Sequence, residues 1–408
     1  MAEPVGASPS PRRPRIAETY RPSGPGSPRY FSPPLRGGGS KGQRAALRGL
    51  GELERALVEL VGKEAVRLGK PKPLPDPRCH QVAADLARWF LAKEQAPSEV
   101  LGFLGNHYGI VEAEPAVFAA RGPHDPPGML RKYQERLGTI LSRGNWSRVG
   151  VATLRDGEAL VSILALWEQN LELEPISRRL PSAGRAPVRG ELLGGFRDPQ
   201  MVVTVPNGSV RQLPLTFRGQ RFEAQLRCTW GDGRYQVEMM ASDRGGPMIL
   251  ANFPVYCGVE PPEDVVVRVA AADFEIDPAE AEQELLALIN RDRQSAGLAP
   301  LLWDNRLAAI ARAHSREMAS MRYVAHISPK SGNAEDRVHR AGLPFRLILE
   351  NVAQHDGVVQ VHEGFMKSPG HRANVLNSHV THVGIGIVVQ RDVGGPIFVT
   401  ELFVDERG

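Results

Sequence analysis

Histidine is concentrated near the end of this 408-residue sequence, where eight of the eleven copies follow residue 305. Imidazole is the usual neutral ligand for zinc and the usual proton carrier near neutral pH. Two of these histidines lie next to predicted helix ends, where the side chain can point into a cleft. His326 comes just after a predicted helix, and His371 takes the third position of a helix that begins at Ser368-Pro369. The exposed amides of a helix start favour neutral imidazole, and hence metal binding or hydrogen bonding.

A carboxylate lies between these two histidines in the sequence. Glu350 is flanked by apolar residues, and a buried charge must find partners because an isolated one is costly. One interpretation is a metal site, in which His326 and His371 hold a divalent ion such as zinc and Glu350 activates a water. The other is an acid–base cleft formed by the same three residues. No compact zinc motif is present, so both alternatives stay open.

The other histidines of this region have simpler interpretations. His314 lies on the apolar stripe of its predicted helix, which indicates a core histidine. His339, His355 and His362 have no partner at ligand spacing, which indicates surface positions.

The elements that carry these side chains have clear sequence signals. Asp277-Pro278 predicts a helix start, and Asp304 opens a second helix. Residues 383–389 and 397–404 are apolar strands joined across Gly394-Gly395, which predicts a hairpin. The last region is therefore predicted to be α+β, with early helices and a late hairpin.

An earlier segment, from about 51 to 176, repeats that layout. Glu54 matches Glu282 at an offset of 228, and Gly150 matches Gly384 at an offset of 234. The order of these anchors predicts a duplicated domain. Leu86 stands in place of the core histidine, and nothing resembles the later Ser-Pro-Gly-His stretch. The first copy is therefore predicted to serve structure or partner binding.

The residues between the two copies are predicted to be all-β. Strict alternation from Phe222 to Trp230, a Gly-Asp-Gly turn and further short strands fit a small immunoglobulin-like sandwich. Cys228 has the inward parity of its strand, and Cys257 ends a later one. A disulfide and two buried thiols are equally good interpretations of this pair. Cys79, beside a helix start, is predicted to be an inert small residue.

Composition limits the function classes. No apolar run approaches the roughly eighteen residues of a membrane span, so no transmembrane segment is predicted. Residues 1–43 carry a net charge of +5 within a total of +4, so the remainder has no basic face for nucleic acid. This Pro-, Gly- and Arg-rich stretch predicts a disordered tail. It shows no secretory signal, so the chain is either intracellular or has a signal that was removed or lies upstream.

Taken in order, the motifs of the last region resemble the bacterial branch of the CAP superfamily. These SCP-like extracellular proteins are related to cysteine-rich secretory, antigen 5 and pathogenesis-related 1 proteins. The resemblance covers about 276–404, and Ser-Pro-Gly-His-Arg-Ala-Asn at 368–374 is its most specific stretch. It implies an α-β-α sandwich with a central cleft, in which His326, Glu350 and His371 match cleft positions. It also implies an extracellular or cell-envelope location, binding of lipid, divalent metal or cell-wall material, and no single catalytic activity.

Three positions depart from the family pattern. Leu349 stands where Gly is usual, Phe365 stands where Trp is expected, and a second cleft glutamate would fall near Ser368. His382 or Glu401, on the late hairpin, could complete the group instead.

The sequence thus predicts an α+β multidomain protein. It has a disordered tail (1–43), a degenerate CAP-like domain (44–180), a β-sandwich domain (190–272) and a CAP domain (276–408). The favoured function is an exported binding module whose cleft holds a ligand, such as a lipid, peptide or cell-wall component, or a divalent metal. In the alternative, a metal-assisted hydrolase acts on peptide or cell-envelope material, with His326 and His371 as ligands and Glu350 as base. No nucleic-acid partner is predicted.

Overall fold

The computed structural model describes residues 16–35, 45–93, 96–142, 144–269, 277–355, 357–390 and 396–405. Within them the strands form five sheets.

Two strands lie inside the segment predicted to be a disordered tail. β1 (Ile16–Tyr20) pairs antiparallel with β16 (Val265–Val269). β2 (Arg29–Ser32) pairs antiparallel with β7 (Leu171–Ser177).

A buried aromatic residue fixes the second of these strands. Tyr30 is fully buried, and its ring centroid lies 5.1 Å from that of Phe253. The prediction of disorder was wrong for residues 16–35, because strand pairing and aromatic burial offset the entropy lost on ordering them. The rest of the predicted tail, residues 1–15 and 36–43, lies outside the described residues.

An α/β region follows, with one sheet covered by helices on both faces. Its elements are α1 (Glu52–Arg67), β3 (Leu74–Pro75), α2 (Pro77–Ala92), α3 (Ser98–His107), β4 (Ala116–Pro123), α4 (Pro126–Ser142), β5 (Arg148–Asp156) and β6 (Ala159–Trp167). The sheet order is β3-β5-β6-β4. One core cluster joins α1 and α4 to one face, and another joins α2 and α3 to the other.

The middle of the chain is a sandwich of two five-stranded sheets. After β7 come β8 (Arg179–Leu180), β9 (Arg185–Leu192), β10 (Arg197–Thr204), β11 (Val210–Leu213), β12 (Leu215–Arg218), β13 (Arg221–Arg227), β14 (Gly233–Asp243) and β15 (Gly246–Cys257). The sheet orders are β11-β10-β14-β15-β8 and β12-β13-β9-β7-β2. A single apolar core lies between them.

The sandwich differs from its predicted extent at both ends. It begins at β7 rather than near residue 190, because β7 pairs with β9 and β2 instead of with the preceding sheet. β16, predicted to lie inside it, pairs with β1 instead. Cys228 and Cys257 form a disulfide with 5.7 Å between their Cα atoms, which decides between the two interpretations of this pair.

The C-terminal region is a second sheet covered by helices on both faces. Its elements are α5 (Pro278–Ser295), β17 (Leu302–Trp303), α6 (Asn305–Met321), α7 (Ala334–Arg340), β18 (Ile348–His355), α8 (Val358–Lys367), α9 (Pro369–Val375), β19 (His382–Val389) and β20 (Ile397–Val404). Helices α5 and α8 pack on one face, and α6 and α7 pack on the other. Among the described residues, no helix combines the length and apolarity needed to cross a membrane.

The predicted helix starts and strands of this region are confirmed. The side chain of Asp277 accepts from the amide of Ala279, and that of Asp304 accepts from the amides of Arg306 and Leu307. β19 and β20 pair antiparallel over their full lengths. The Gly394-Gly395 turn itself lies outside the described residues.

The two α/β regions share one strand topology. The C-terminal sheet has the order β17-β19-β20-β18, which corresponds strand for strand to β3-β5-β6-β4. The amide of Asp76 donates to the carbonyl of Val149, and the amide of Asp304 donates to that of Val383. In both regions the connection from the short first strand to the following helix is therefore fixed by the same backbone hydrogen bond.

Candidate functional site

His326 lies in the loop that follows α6, and side chains of that helix fix the loop. The Nε2 atom of His314 lies 2.9 Å from the carbonyl oxygen of Ala325. Glu317 accepts a hydrogen bond from the hydroxyl of Ser328 at 2.6 Å. His314 is 1% exposed, so it is the predicted core histidine, and its role is to position the loop that carries His326.

Glu350, on β18, is buried and has both oxygens engaged. Its Oε1 lies 2.9 Å from Nδ1 of His326, and its Oε2 accepts a hydrogen bond from Arg337 on α7. Arg337 also donates to the carbonyls of His326 and Gly332, at 3.2 and 2.6 Å. The guanidinium therefore balances the buried carboxylate and ties it to the histidine loop.

Asn351 connects the next layer of the site. Its Nδ2 donates to Glu401 Oε2 at 2.9 Å and to the carbonyl of His371 at 3.3 Å. Asn374 on α9 donates to Asn351 Oδ1 at 2.9 Å and to the carbonyl of Glu350 at 3.1 Å. These bonds hold α9 against β18.

His371 has the predicted position in its helix. Ser368 caps α9 and accepts from the amide of His371 at 3.4 Å. The imidazole packs 5.0 Å from the ring of Phe365, measured between centroids. Burial, with the nearby charge of His326, lowers the pKa of His371 to about 3, so the ring is neutral at physiological pH.

Glu401 is a fully buried carboxyl beside this network. Burial raises its pKa to about 8, although the hydrogen bond from Asn351 opposes the shift. Its Oε1 has no hydrogen-bond partner in the described part of the chain. His382, the other residue considered as an addition to the cleft, bonds instead to its neighbour Thr381.

Of the three predicted site residues, two are in direct contact and the third is connected to them indirectly. His326 and Glu350 are in direct contact, whereas His371 is joined to them through Asn351 and by its electrostatic interaction with His326. His362, predicted at the surface, is only 2% exposed, and its Nε2 lies 2.9 Å from Oδ2 of Asp292 on α5.

The described residues do not fit a three-ligand metal centre. They contain no group of three or more His, Cys, Asp or Glu arranged to hold an ion. Catalytic zinc sites use three protein ligands, and the Glu350 oxygens already bond His326 and Arg337.

Sequence reasoning missed a residue that comes from outside this region. Glu238 on β14 is fully buried, and its Oε1 accepts a hydrogen bond from the amide of Gly370 at 2.9 Å. The only available signal was strand parity: Glu238 alternates with the core residues Val237 and Met239, so it faces away from the sandwich core.

Comparisons with known proteins support the resemblance in the C-terminal region. Residues 286–403 match the model of the CAP family, described as the cysteine-rich secretory protein family. An uncharacterized membrane protein, YlbC of Bacillus subtilis (strain 168), is 39% identical over 109 residues, which are 26% of this chain and 31% of the relative. YkwD, an uncharacterized protein of the same strain, is 37% identical over 108 residues, which are 26% of this chain and 42% of the relative.

The aligned segments thus cover 31% and 42% of the lengths of these two relatives. A solved structure, the extracellular protein containing a SCP domain from Bacillus anthracis, is 19% identical and covers 70% of this chain and 93% of its own. Its TM-score of 0.30 is too low to compare the arrangement of whole chains. The family match lies in the C-terminal region, and the aligned lengths of the two relatives, 109 and 108 residues, are similar to its extent. Residues 286–403 therefore form a CAP domain of the bacterial, SCP-like branch.

Proposed function

We propose that this chain is an exported bacterial binding protein whose CAP domain holds a ligand at the cleft of His326, Glu350 and His371. The observation that carries the proposal is the hydrogen-bonded series Arg337–Glu350–His326. A carboxylate only accepts hydrogen bonds, so Nδ1 of His326 carries the proton. When this ring is neutral, its Nε2 is an acceptor or metal-ligating nitrogen whose direction is set by the Nδ1 contact with Glu350.

The proposed ligand is a lipid, peptide or cell-wall component that offers a hydrogen-bond donor. A divalent ion such as zinc is the less favoured ligand, because the described residues contain no group of three metal-binding side chains. Neutral His371 supplies a second acceptor. The metal-assisted hydrolase remains the second candidate function. It requires Glu350 to activate a water, but both oxygens of that carboxylate already accept hydrogen bonds. The geometry therefore favours binding over catalysis.

The proposed location is outside the cytoplasm. Structural disulfides form and persist in oxidising compartments. Cys228 and Cys257 are joined between the two sheets of the sandwich, and both are buried. The disulfide thus supports export independently of the family.

We also propose that residues 52–167 are a degenerate CAP-like domain that arose by duplication, with an immunoglobulin-like sandwich between the two copies. The shared strand order supports this. So does a matched contact: Glu54 Oε1 accepts from the amide of Thr153, as Glu282 Oε1 accepts from that of Ile387. These pairs have the offsets of 228 and 234 seen in the sequence.

The first copy lacks the cleft chemistry. In the matching strand register, Val117 takes the place of Glu350, and Leu86 takes that of His314. Its proposed role is structural or partner-binding.

The test measures binding by the full chain and two cleft variants, His326→Ala and His371→Ala. The probes are zinc alone, purified peptidoglycan in a sedimentation assay, and anionic phospholipid vesicles. The matched control is His339→Ala, since the His339 side chain is 46% exposed and lies outside the cleft. We expect at least one probe to bind, with a loss in both cleft variants and none in the control.

Two outcomes oppose the proposal. Binding that survives in both cleft variants would remove the site assignment. No binding of any of the three probes would contradict the proposed function.

A further inference from the structure

One hairpin of the sandwich lies against the CAP domain. In β14, the residues Val237 and Met239 face the sandwich core. The alternate residues, Glu238 and Met240, face the other way, toward α9. The hairpin of β14 and β15 thus contributes to two surfaces at once.

The first contact of this hairpin is with the helix that carries His371. Glu238 Oε1 accepts from the amide of Gly370 at 2.9 Å. A Cβ at Gly370 would lie 2.7 Å from the sulfur of Met240, so a larger residue would require the Met240 side chain to move. Next to it, Arg372 donates through Nε to the carbonyl of Gly208 at 3.0 Å.

The second contact is with the loop that carries His326. The amide of Ile327 donates to the carbonyl of Gly245, in the turn of the hairpin, at 3.0 Å. A Cβ at Gly246, where φ is +103°, would lie 3.1 Å from the Cβ of His326. The turn therefore lies directly against the backbone of the histidine loop.

The contact between the sandwich and the CAP domain consists of hydrogen bonds and a few apolar side chains, such as Met240 and Ile327. Among the described residues, no hydrophobic core cluster contains residues of both, whereas Val111 of the N-terminal region belongs to the sandwich core. Two units whose cores are packed separately come apart more easily than two that share a core. The CAP domain, rather than the N-terminal region, is thus the part that can move away from the sandwich.

We propose that the β14–β15 hairpin is a built-in cover of the CAP cleft, and that a ligand enters when the hairpin separates from α9 and the His326 loop. The inference rests on the proposed function, because it assumes that the cleft is the binding site. The same hairpin touches both segments that carry a cleft histidine, so its departure exposes both sides of the cleft together.

A designed disulfide tests whether the cover opens. An ideal Cβ on Gly245 lies 3.5 Å from the Cβ of Ala325, at the short end of the range for disulfides, which is roughly 3.5–4.5 Å. The double variant Gly245→Cys/Ala325→Cys should therefore lock the hairpin onto the loop. The two single variants are the controls, and the bond is detected by mass spectrometry of the unreduced full chain. Failure of the bond to form in the folded chain would overturn the proposed contact.

The readouts are amide hydrogen exchange and carbethoxylation of His371 by diethyl pyrocarbonate. The amide of Gly370 donates a hydrogen bond across the interface to Glu238, and it is remote in sequence from the engineered disulfide. We expect locking to slow its exchange and the modification of His371 by about tenfold or more relative to both single variants. Equal rates in the locked and single variants would show that the hairpin does not open.

A second variant tests whether the hairpin separates more readily from α9 when a native contact is weakened. Glu238→Gln keeps the shape of the side chain but weakens its hydrogen bond to Gly370, so both rates should rise. Glu223→Gln, on the exposed side of the same sandwich, should leave them unchanged. No increase in Glu238→Gln would contradict the proposed contact. Because neither readout needs a ligand, these results are independent of the binding assays that test the proposed function.

Discussion

Arg337 donates a hydrogen bond to Oε2 of Glu350, the oxygen that His326 does not use. The side chains of Arg337 and Glu350 are 4% and 3% exposed, so water has little access to either charge. Because a lone buried carboxylate is costly, Glu350 depends on the guanidinium as its cationic partner. The ion pair therefore orients His326 as well as balancing charge.

Removing the guanidinium of Arg337 should show how much the stability of the fold depends on this ion pair. We expect Arg337→Met to lower the free energy of unfolding by about 3–5 kcal/mol, because the buried Glu350 loses its guanidinium partner and keeps only its side-chain contact with His326. The measurement is urea unfolding of the full chain. Arg337→Met/Glu350→Leu should recover most of the loss, since replacing both members of a buried pair with apolar groups is often neutral.

The matched control for this prediction is Arg306→Ala. Arg306 is 66% exposed and pairs with Asp304, so its loss should cost at most about 1 kcal/mol. An Arg337→Met variant as stable as this control would show that the buried pair does not hold the site.

Glu401 should make the free energy of unfolding depend on pH. Burial raises its pKa from 4.5 to about 8. Between these values the folded protein holds a proton that the unfolded chain has lost, so stability falls as pH rises through this window. The fall is at most about 1.4 kcal/mol per pH unit for one group.

Glu401→Gln keeps a neutral group of the same shape at all pH values. We expect its unfolding free energy to decline less than that of the wild type between pH 5 and 8, as measured by urea unfolding at a series of pH values. Glu335→Gln, at a site whose side chain is 67% exposed, should follow the wild-type curve. Parallel curves for Glu401→Gln and the wild type would contradict the raised pKa.

Local signals in the sequence predict the elements and the burial of the candidate residues. Ser368 caps the helix that carries His371, and Asp304 caps the helix that precedes His326. Glu350 was identified as a buried carboxylate that must have partners, and it has them. Capping and burial depend on near neighbours in the sequence, so they can be recognised without knowing the tertiary structure.

The contacts that were missed join residues far apart in the chain. Tyr30 is buried against the sandwich by a strand that pairs with residues 171–177. His362 is buried because Asp292, 70 positions earlier, meets it on another helix. Glu238 meets Gly370 across 132 positions. No local pattern specifies such partners, since they follow from how the separate units pack together.

The disulfide should contribute substantially to the stability of the sandwich. Cys228 and Cys257 are 29 positions apart, and constraining a loop of this length stabilises a fold by about 3–4 kcal/mol. Cys228→Ala/Cys257→Ala should lose about this amount in urea unfolding. Cys79→Ala is the control, because this buried cysteine is free. A double variant no less stable than the control would show that the bond does not stabilise the fold.

Gly384 and Gly150 allow the same close approach in the two α/β regions. A Cβ at Gly384 would lie 2.3 Å from the carbonyl carbon of Leu307, and one at Gly150 would lie 2.2 Å from the carbonyl oxygen of Cys79. Each glycine thus lets a central strand, β19 or β5, lie against the first turn of a helix, α6 or α2. If the regions arose by duplication, both contacts should have the same energetic role.

We expect Gly384→Ala and Gly150→Ala each to lower the free energy of unfolding by about 1–3 kcal/mol, because the added methyl group must displace backbone. The measurement is urea unfolding, with hydrogen exchange of β19 and β5 to assign the loss to its own region. Gly364→Ala is the matched control: this helical glycine has open space around it, so alanine should stabilise the fold by about 0.5–1 kcal/mol. A loss in Gly384→Ala with none in Gly150→Ala would remove this packing argument for duplication.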